Sequence, residues 1–103
     1  MYSKELINAY MSVKKYTQYK QMAADLNFTG SYIAAVNLGQ KEFTEETATY
    51  IAKEAGLDIS EVLIKLSMAK AKTETTKNAW SKVLNEHQNS MKAASTLGNM
   101  QLS

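Results

Sequence analysis

The side chains able to do chemistry in this 103-residue chain are few and of one kind. It has a single histidine, His87, and no cysteine, and every basic residue is lysine. Disulfides and thiolate metal sites are thereby excluded, and a lone histidine without clustered acids offers no metal-ligand spacing. No nucleophile elbow, Walker loop or dinucleotide fingerprint occurs, so neither an enzyme nor a bound cofactor is expected. What remains is a set of hydrogen-bonding and cationic groups between Thr17 and Lys41: Gln18, Tyr19, Lys20, Thr29, Ser31, Tyr32, Asn37, Gln40 and Lys41. Groups of this kind hold phosphates and polar base edges rather than make or break bonds.

Two short helices joined by a tight turn would position them. Ala23 is small where a second helix would cross the first closely, and Leu26 and Phe28 bracket the turn. Asn27 between them tolerates the left-handed conformation that ends a helix. Thr29 can cap the next helix, whose Ile33 and Val36 return to a core at helical spacing. This is the pattern of a helix-turn-helix, the unit that lays its second helix in the DNA major groove. A plain structural helical hairpin would carry many of the same residues.

The rest of the chain reads as helix too. It has no proline, only four glycines, and abundant Ala, Lys, Met, Leu and Glu, a composition that favours an all-α protein. Ser3 opens a first helix with the apolar stripe Leu6, Ile7, Tyr10 and Val13, running to about Tyr16. Thr17 caps the second, which continues through Met22, Ala23 and Leu26. The third spans Gly30 to Leu38 and is closed by Gly39. Thr44, followed by Glu45 and Glu46, opens a fourth, buried on Ala48, Ile51, Ala52 and Ala55 and ended by Gly56. Asp58 with Glu61 makes a capping box for a fifth carrying Val62, Leu63 and Leu66. Thr73 to Thr76 marks a break or a new cap. Beyond it Trp80, Val83, Leu84, His87 and Met91 recur on one face of a sixth helix.

Formal net charge is +2, unevenly placed. Residues 1–41 carry five lysines against Glu5 and Asp25, residues 42–63 carry Lys53 against six acids, and residues 64–103 carry six lysines against Glu74 and Glu86. The segment sums are therefore +3, −5 and +4, which add to the +2 of the whole. The basic first third suits a phosphate backbone. Lys14, Lys15 and Lys20 fit either a binding stripe or an ordinary solvated face. Tyr10 reads as core, and Tyr19 and Tyr32 as phosphate or base-edge contacts, since single-strand stacking platforms normally sit on sheets. The acids Glu42, Glu45 and Glu46 read as a helix start pointing away from a duplex or toward a basic partner.

With the fourth helix in place, Lys20 to Leu63 resembles the Cro and lambda-repressor-like helix-turn-helix family of phage and prophage regulators and antitoxins. The resemblance rests on Met22-Ala23, Leu26, Asn27-Phe28-Thr29, Ile33, Gly39, Ile51-Ala52-Lys53, Gly56-Leu57 and Val62-Leu63. It implies a compact five-helix DNA-binding domain with an extra C-terminal helix. In that frame Gly30 and Ser31 fall in base-reading slots, Tyr32 follows them, and Ala35 lies one turn on, with Asn37 a further possible reader. Thr29 can bond a phosphate. The slot opening the second helix holds Tyr19 beside Gln18, and Gln40 and Lys41 match a loop that touches the DNA backbone. Gly30 and Ala35 lack the hydrogen-bonding side chains that the family often places there. Thymine-methyl contacts by alanine and Tyr32, and an AT-rich palindromic operator, are expected in their stead.

The resulting expectation is a DNA-binding domain at 1–68, an amphipathic helix at 69–92 and a disordered tail at 93–103. Trp80, Val83, Leu84 and His87 read as a dimer interface or as core, and His87 as a packed residue. The expected function is a homodimeric transcriptional regulator, a phage-type repressor in a bacterial cytosol. The N-terminus lacks an apolar signal core, and no apolar run is long enough for a membrane span. An antitoxin, or a protein-interaction module with a degenerate reading helix, is the alternative.

Overall fold

Each helix starts where a side chain can satisfy its free N–H groups, and those starts define the architecture. The structure is a computed structural model describing residues 2–102, with side chains described through Ala93. The element order is α1 (Ser3–Lys14), α2 (Tyr19–Asp25), α3 (Gly30–Asn37), α4 (Glu45–Ala55), α5 (Ile59–Lys70) and α6 (Glu74–Leu102), with no strand among the described residues. Thr29, Thr44 and Asp58 accept hydrogen bonds from the N–H groups of Tyr32, Thr47 and Glu61, respectively, as N-caps do. Thr73 serves α6 in the same way, its hydroxyl accepting from Thr76 N–H at 3.2 Å. Gly39 and Gly56 take the left-handed conformation after α3 and α4, with φ of 81° and 70°.

α1 opens at Ser3 as expected, with Tyr2 at the N-cap position and Ser3 fully buried. The second helix begins differently from the expectation. Gln18, not Thr17, is the N-cap of α2. The reason is Gln21, whose amide oxygen reaches back to the N–H groups of Thr17 (2.8 Å) and Gln18 (2.9 Å). α1 stops at Lys14, ended by a left-handed Lys15 with φ 60°. Val13, expected in the stripe of α1, is left exposed there.

The core is one cluster. Leu6, Ile7 and Tyr10 of α1 meet Met22 and Ala23 of α2, Ile33 and Val36 of α3, Phe43, then Ala48, Ile51 and Ala52 of α4 and Val62 and Leu66 of α5. α1 is the hub, packing on α2, α3 and α4; α4 carries α5, and α5 carries α6. α1 and α4 run parallel, tied at one end by Ser3 to Glu42 and at the other by Lys14 to Glu54 at 2.9 Å.

The break between α5 and α6 lies at 71–73 with Thr73 as the new cap, as expected around Thr73, while the division expected between residues 68 and 69 falls inside α5. The segment 93–103, expected as a disordered tail, is helical as far as Leu102. It has no proline, and Gly98 is its one weak helix former of that rank. No helix among the described residues is long and apolar enough to cross a membrane.

Candidate nucleic-acid interface

The α2–α3 turn is built by backbone hydrogen bonds. Asn27 adopts φ 61°, which lets Phe28 N–H turn back to Ala23 C=O at 2.8 Å while Leu26 N–H bonds Met22 C=O at 2.9 Å. An asparagine accepts this conformation at lower cost than a bulkier residue. Ala23, 3% exposed, lies on the buried side of α2 where α3 packs. The chain then enters α3 through Thr29, whose hydroxyl accepts from Tyr32 N–H at 3.0 Å.

The first turn of α3 is open. Thr29, Gly30 and Ser31 are exposed, and a Cβ placed on Gly30 would meet nothing within 4 Å. Gln18, Tyr19 and Lys20 at the start of α2 are exposed as well, as are Gln40 and Lys41 after α3. The Tyr19 hydroxyl donates to the Asn37 side-chain oxygen at 3.4 Å, linking the start of α2 to the end of α3. Ala35 and Asn37 are half-buried. Of the expected site residues, the structure thus joins Tyr19 and Asn37 directly and leaves Gln18, Lys20, Thr29, Gly30, Ser31, Gln40 and Lys41 exposed.

Tyr32 is the exception in orientation. Its ring lies 4.6 Å from Phe28 and 6.1 Å from Phe43, with Phe28 and Phe43 stacked at 6.3 Å. The Lys41 ammonium sits 5.7 Å from the Tyr32 centroid, and burial pushes the phenol up from its ordinary ionisation range. Expected to probe a groove, Tyr32 is instead committed to packing α3 against the α3–α4 loop. Reading also passed over Ala34 and Leu38, which are exposed on the same side of α3 as Gly30 at intervals of four. Helical periodicity alone would have found them.

Of the acids on either side of this segment, Asp25, Glu42 and Glu45 have partners within the fold. The Glu42 carboxylate accepts from Ser3 N–H at 2.9 Å and from Ser3 Oγ at 2.6 Å, and Ser3 Oγ in turn accepts from Phe43 N–H at 2.9 Å. Glu45 pairs with Lys70 at 3.4 Å. Asp25 accepts from the hydroxyls of Tyr10 and of Tyr16, the latter at 3.1 Å. The Tyr10 hydrogen bond, above all, holds the Asp25 carboxyl below its ordinary value. Glu46 lines a cleft of about 320 Å³ with Asp25, Leu26, Phe28 and Tyr50. By contrast Lys15, Lys20 and Lys41 have no carboxylate within ion-pair distance among the described residues.

α6 lies against α5 in the opposite direction. His87 Nε2 is 3.3 Å from both Asp58 carboxylate oxygens, and Gln88 donates to Glu61 at 2.8 Å. Trp80, Leu84 and His87 share the half-buried side, while Val83 and Met91 are 40% and 44% exposed. The expected interface residues thus divide, three toward α5 and Val83 outward; none belongs to the central core. At about 1.5 Å per residue the 29-residue α6 is roughly 43 Å long. Since His87 already reaches the N-cap of α5, the part after Gln88 runs on past it. Among the described residues no group of three or more metal-ligating side chains converges. No known protein family, curated protein or solved structure matches the chain.

Proposed function

We propose that the chain binds double-stranded DNA through α3 and its flanks, in the manner of Cro and lambda-repressor-like regulators, and acts as a transcriptional regulator. One observation carries the reading: the first turn of α3 stands open, with Gly30 unobstructed, and the segments before and after α3 carry Lys20 and Lys41 exposed and without a carboxylate partner among the described residues. A major groove admits a helix end-on in this way, while lysines and capped helix starts hold the phosphates on either side. Thr29, Gln18, Tyr19 and Gln40 add uncharged contacts to the backbone, and Ser31 is the polar side chain best placed for a base edge. Occupancy of an operator then blocks polymerase, the simplest repressor mechanism.

The homodimer belongs to the same proposal. α6 projects beyond α5 and carries Val83 and Met91 exposed, which favours pairing of two copies and delivery of two α3 helices to neighbouring half-sites. Charge reversal at both, Val83→Glu with Met91→Glu, is expected to give monomers by sedimentation. A protein-interaction module is the second reading, favoured by the 70% exposure of Leu38 on a helix with few polar side chains.

Selection of bound sequences from a randomised duplex library at near-physiological salt separates these. The regulator reading predicts an enriched palindrome that weakens with Ser31→Ala. Failure to retain any duplex would overturn it.

A further inference from the structure

Leu38 is the most exposed large apolar side chain described, at 70%, and it closes α3 at the C-cap position. Ala34 is exposed one turn before it and Gly30 two turns before it, so the leucine ends an uncharged strip. From Leu26 to Lys41 the chain carries no acid at all, and its one charge is Lys41. The nearest carboxylate along the chain, Glu42, is held by Ser3. Such a surface complements a polyanion that also presents apolar groups.

We propose that Leu38 is a specificity-determining side chain that packs on thymine 5-methyl groups in the major groove. This rests on the duplex-DNA reading above. Charge complementarity selects an anionic partner, because the segment from Leu26 to Lys41 carries no acid and its one charge, Lys41, pairs with no carboxylate among the described residues. Among the base edges open to a helix, the thymine methyl is the only apolar group. RNA lacks that methyl and hides its major groove from a helix. A leucine with a free isobutyl group matches the methyl by contact rather than by hydrogen bonding, and offers more apolar area for that contact than Gly30 or Ala35 does.

The test uses the full chain and two duplexes of identical sequence and length, T-rich, one with every thymine replaced by uracil. Binding is measured at fixed salt for the natural chain and for Leu38→Ala, whose fold is checked by thermal melting. The thymine duplex is expected to bind about three- to five-fold tighter per methyl contacted, the worth of one buried carbon group. In Leu38→Ala most of that preference disappears. Equal binding of the two duplexes by the natural chain overturns the proposal, as does a full thymine preference in Leu38→Ala. Both results leave duplex binding itself standing. Loss of salt-sensitive binding to every duplex would instead overturn the DNA reading and this inference together. Self-association abolished by Leu38→Ala, without DNA binding, would reassign the leucine to a protein contact.

Discussion

Replacing Ser3 by alanine removes one oxygen that serves two partners across the fold. Ser3 Oγ donates to the Glu42 carboxylate at 2.6 Å and accepts from the buried Phe43 N–H at 2.9 Å. A hydrogen bond to a charged group contributes about 1.5–3 kcal/mol, and a buried N–H left unpaired costs about 1–3 kcal/mol. Against this, Glu42 keeps its bond to Ser3 N–H, and alanine favours helix over serine by roughly 0.5 kcal/mol. The net expectation is a loss of about 2.5 kcal/mol. For a domain of this size each kcal/mol moves the melting point by about 4 °C, so Tm should fall by about 10 °C. Urea denaturation followed by circular dichroism checks it: the midpoint should drop with the slope unchanged. A loss below about 0.5 kcal/mol would refute the reasoning, because the network would then be worth no more than surface contacts. The functional link is direct, since Glu42 and Phe43 anchor the loop that presents Gln40 and Lys41.

Gly56→Ala should cost about 1–2 kcal/mol from left-handed strain alone, as its φ is 70° and a Cβ there meets nothing; a neutral result by denaturation would contradict this. In alkali the Tyr10 phenol, pushed up mainly by burial and then by Asp25, should stay protonated in the folded chain. Its folded-state value is raised, so its stabilisation is complete below the unfolded value near 10 and fades as pH rises beyond it. Ultraviolet titration should show one fewer late-ionising tyrosine in Tyr10→Phe. Asp25 has the opposite sign: its folded-state value is depressed, so its contribution is present above the unfolded value and lost as pH falls through the folded one. Acid unfolding of Asp25→Asn should accordingly depend less steeply on pH.

Local chemistry made much of this fold legible. Thr29, Thr44 and Asp58 cap the helices they precede because an N-cap needs only its own side chain and an N–H two or three residues on. Asn27 and Gly56 end helices for equally local reasons. What escaped reading is tertiary. Nothing within ten residues of Ser3 announces Glu42, 39 residues away, and Asp25 gives no local sign that two tyrosines hold it. Those contacts exist because α1 lies parallel to α4 and across α2, an arrangement that periodicity does not specify. Exposure was legible where orientation was not: Gly30, Ser31 and Lys41 stand in the open as expected. Tyr32 turns inward, because Phe28 and Phe43 compete for its ring more effectively than solvent does.

Affinity for a duplex of fixed sequence as a function of salt tests the central claim most directly. The account predicts that log K falls linearly with log salt, by about 0.9 for each phosphate neutralised. Lys20→Ala with Lys41→Ala should make that slope shallower by roughly 1.8, with Tm lowered only by the loss of the Lys41–Tyr32 ring contact, because neither lysine forms an ion pair within the fold. Absence of binding at low salt, or a slope that the double substitution leaves unchanged, would contradict a DNA-binding surface at α3.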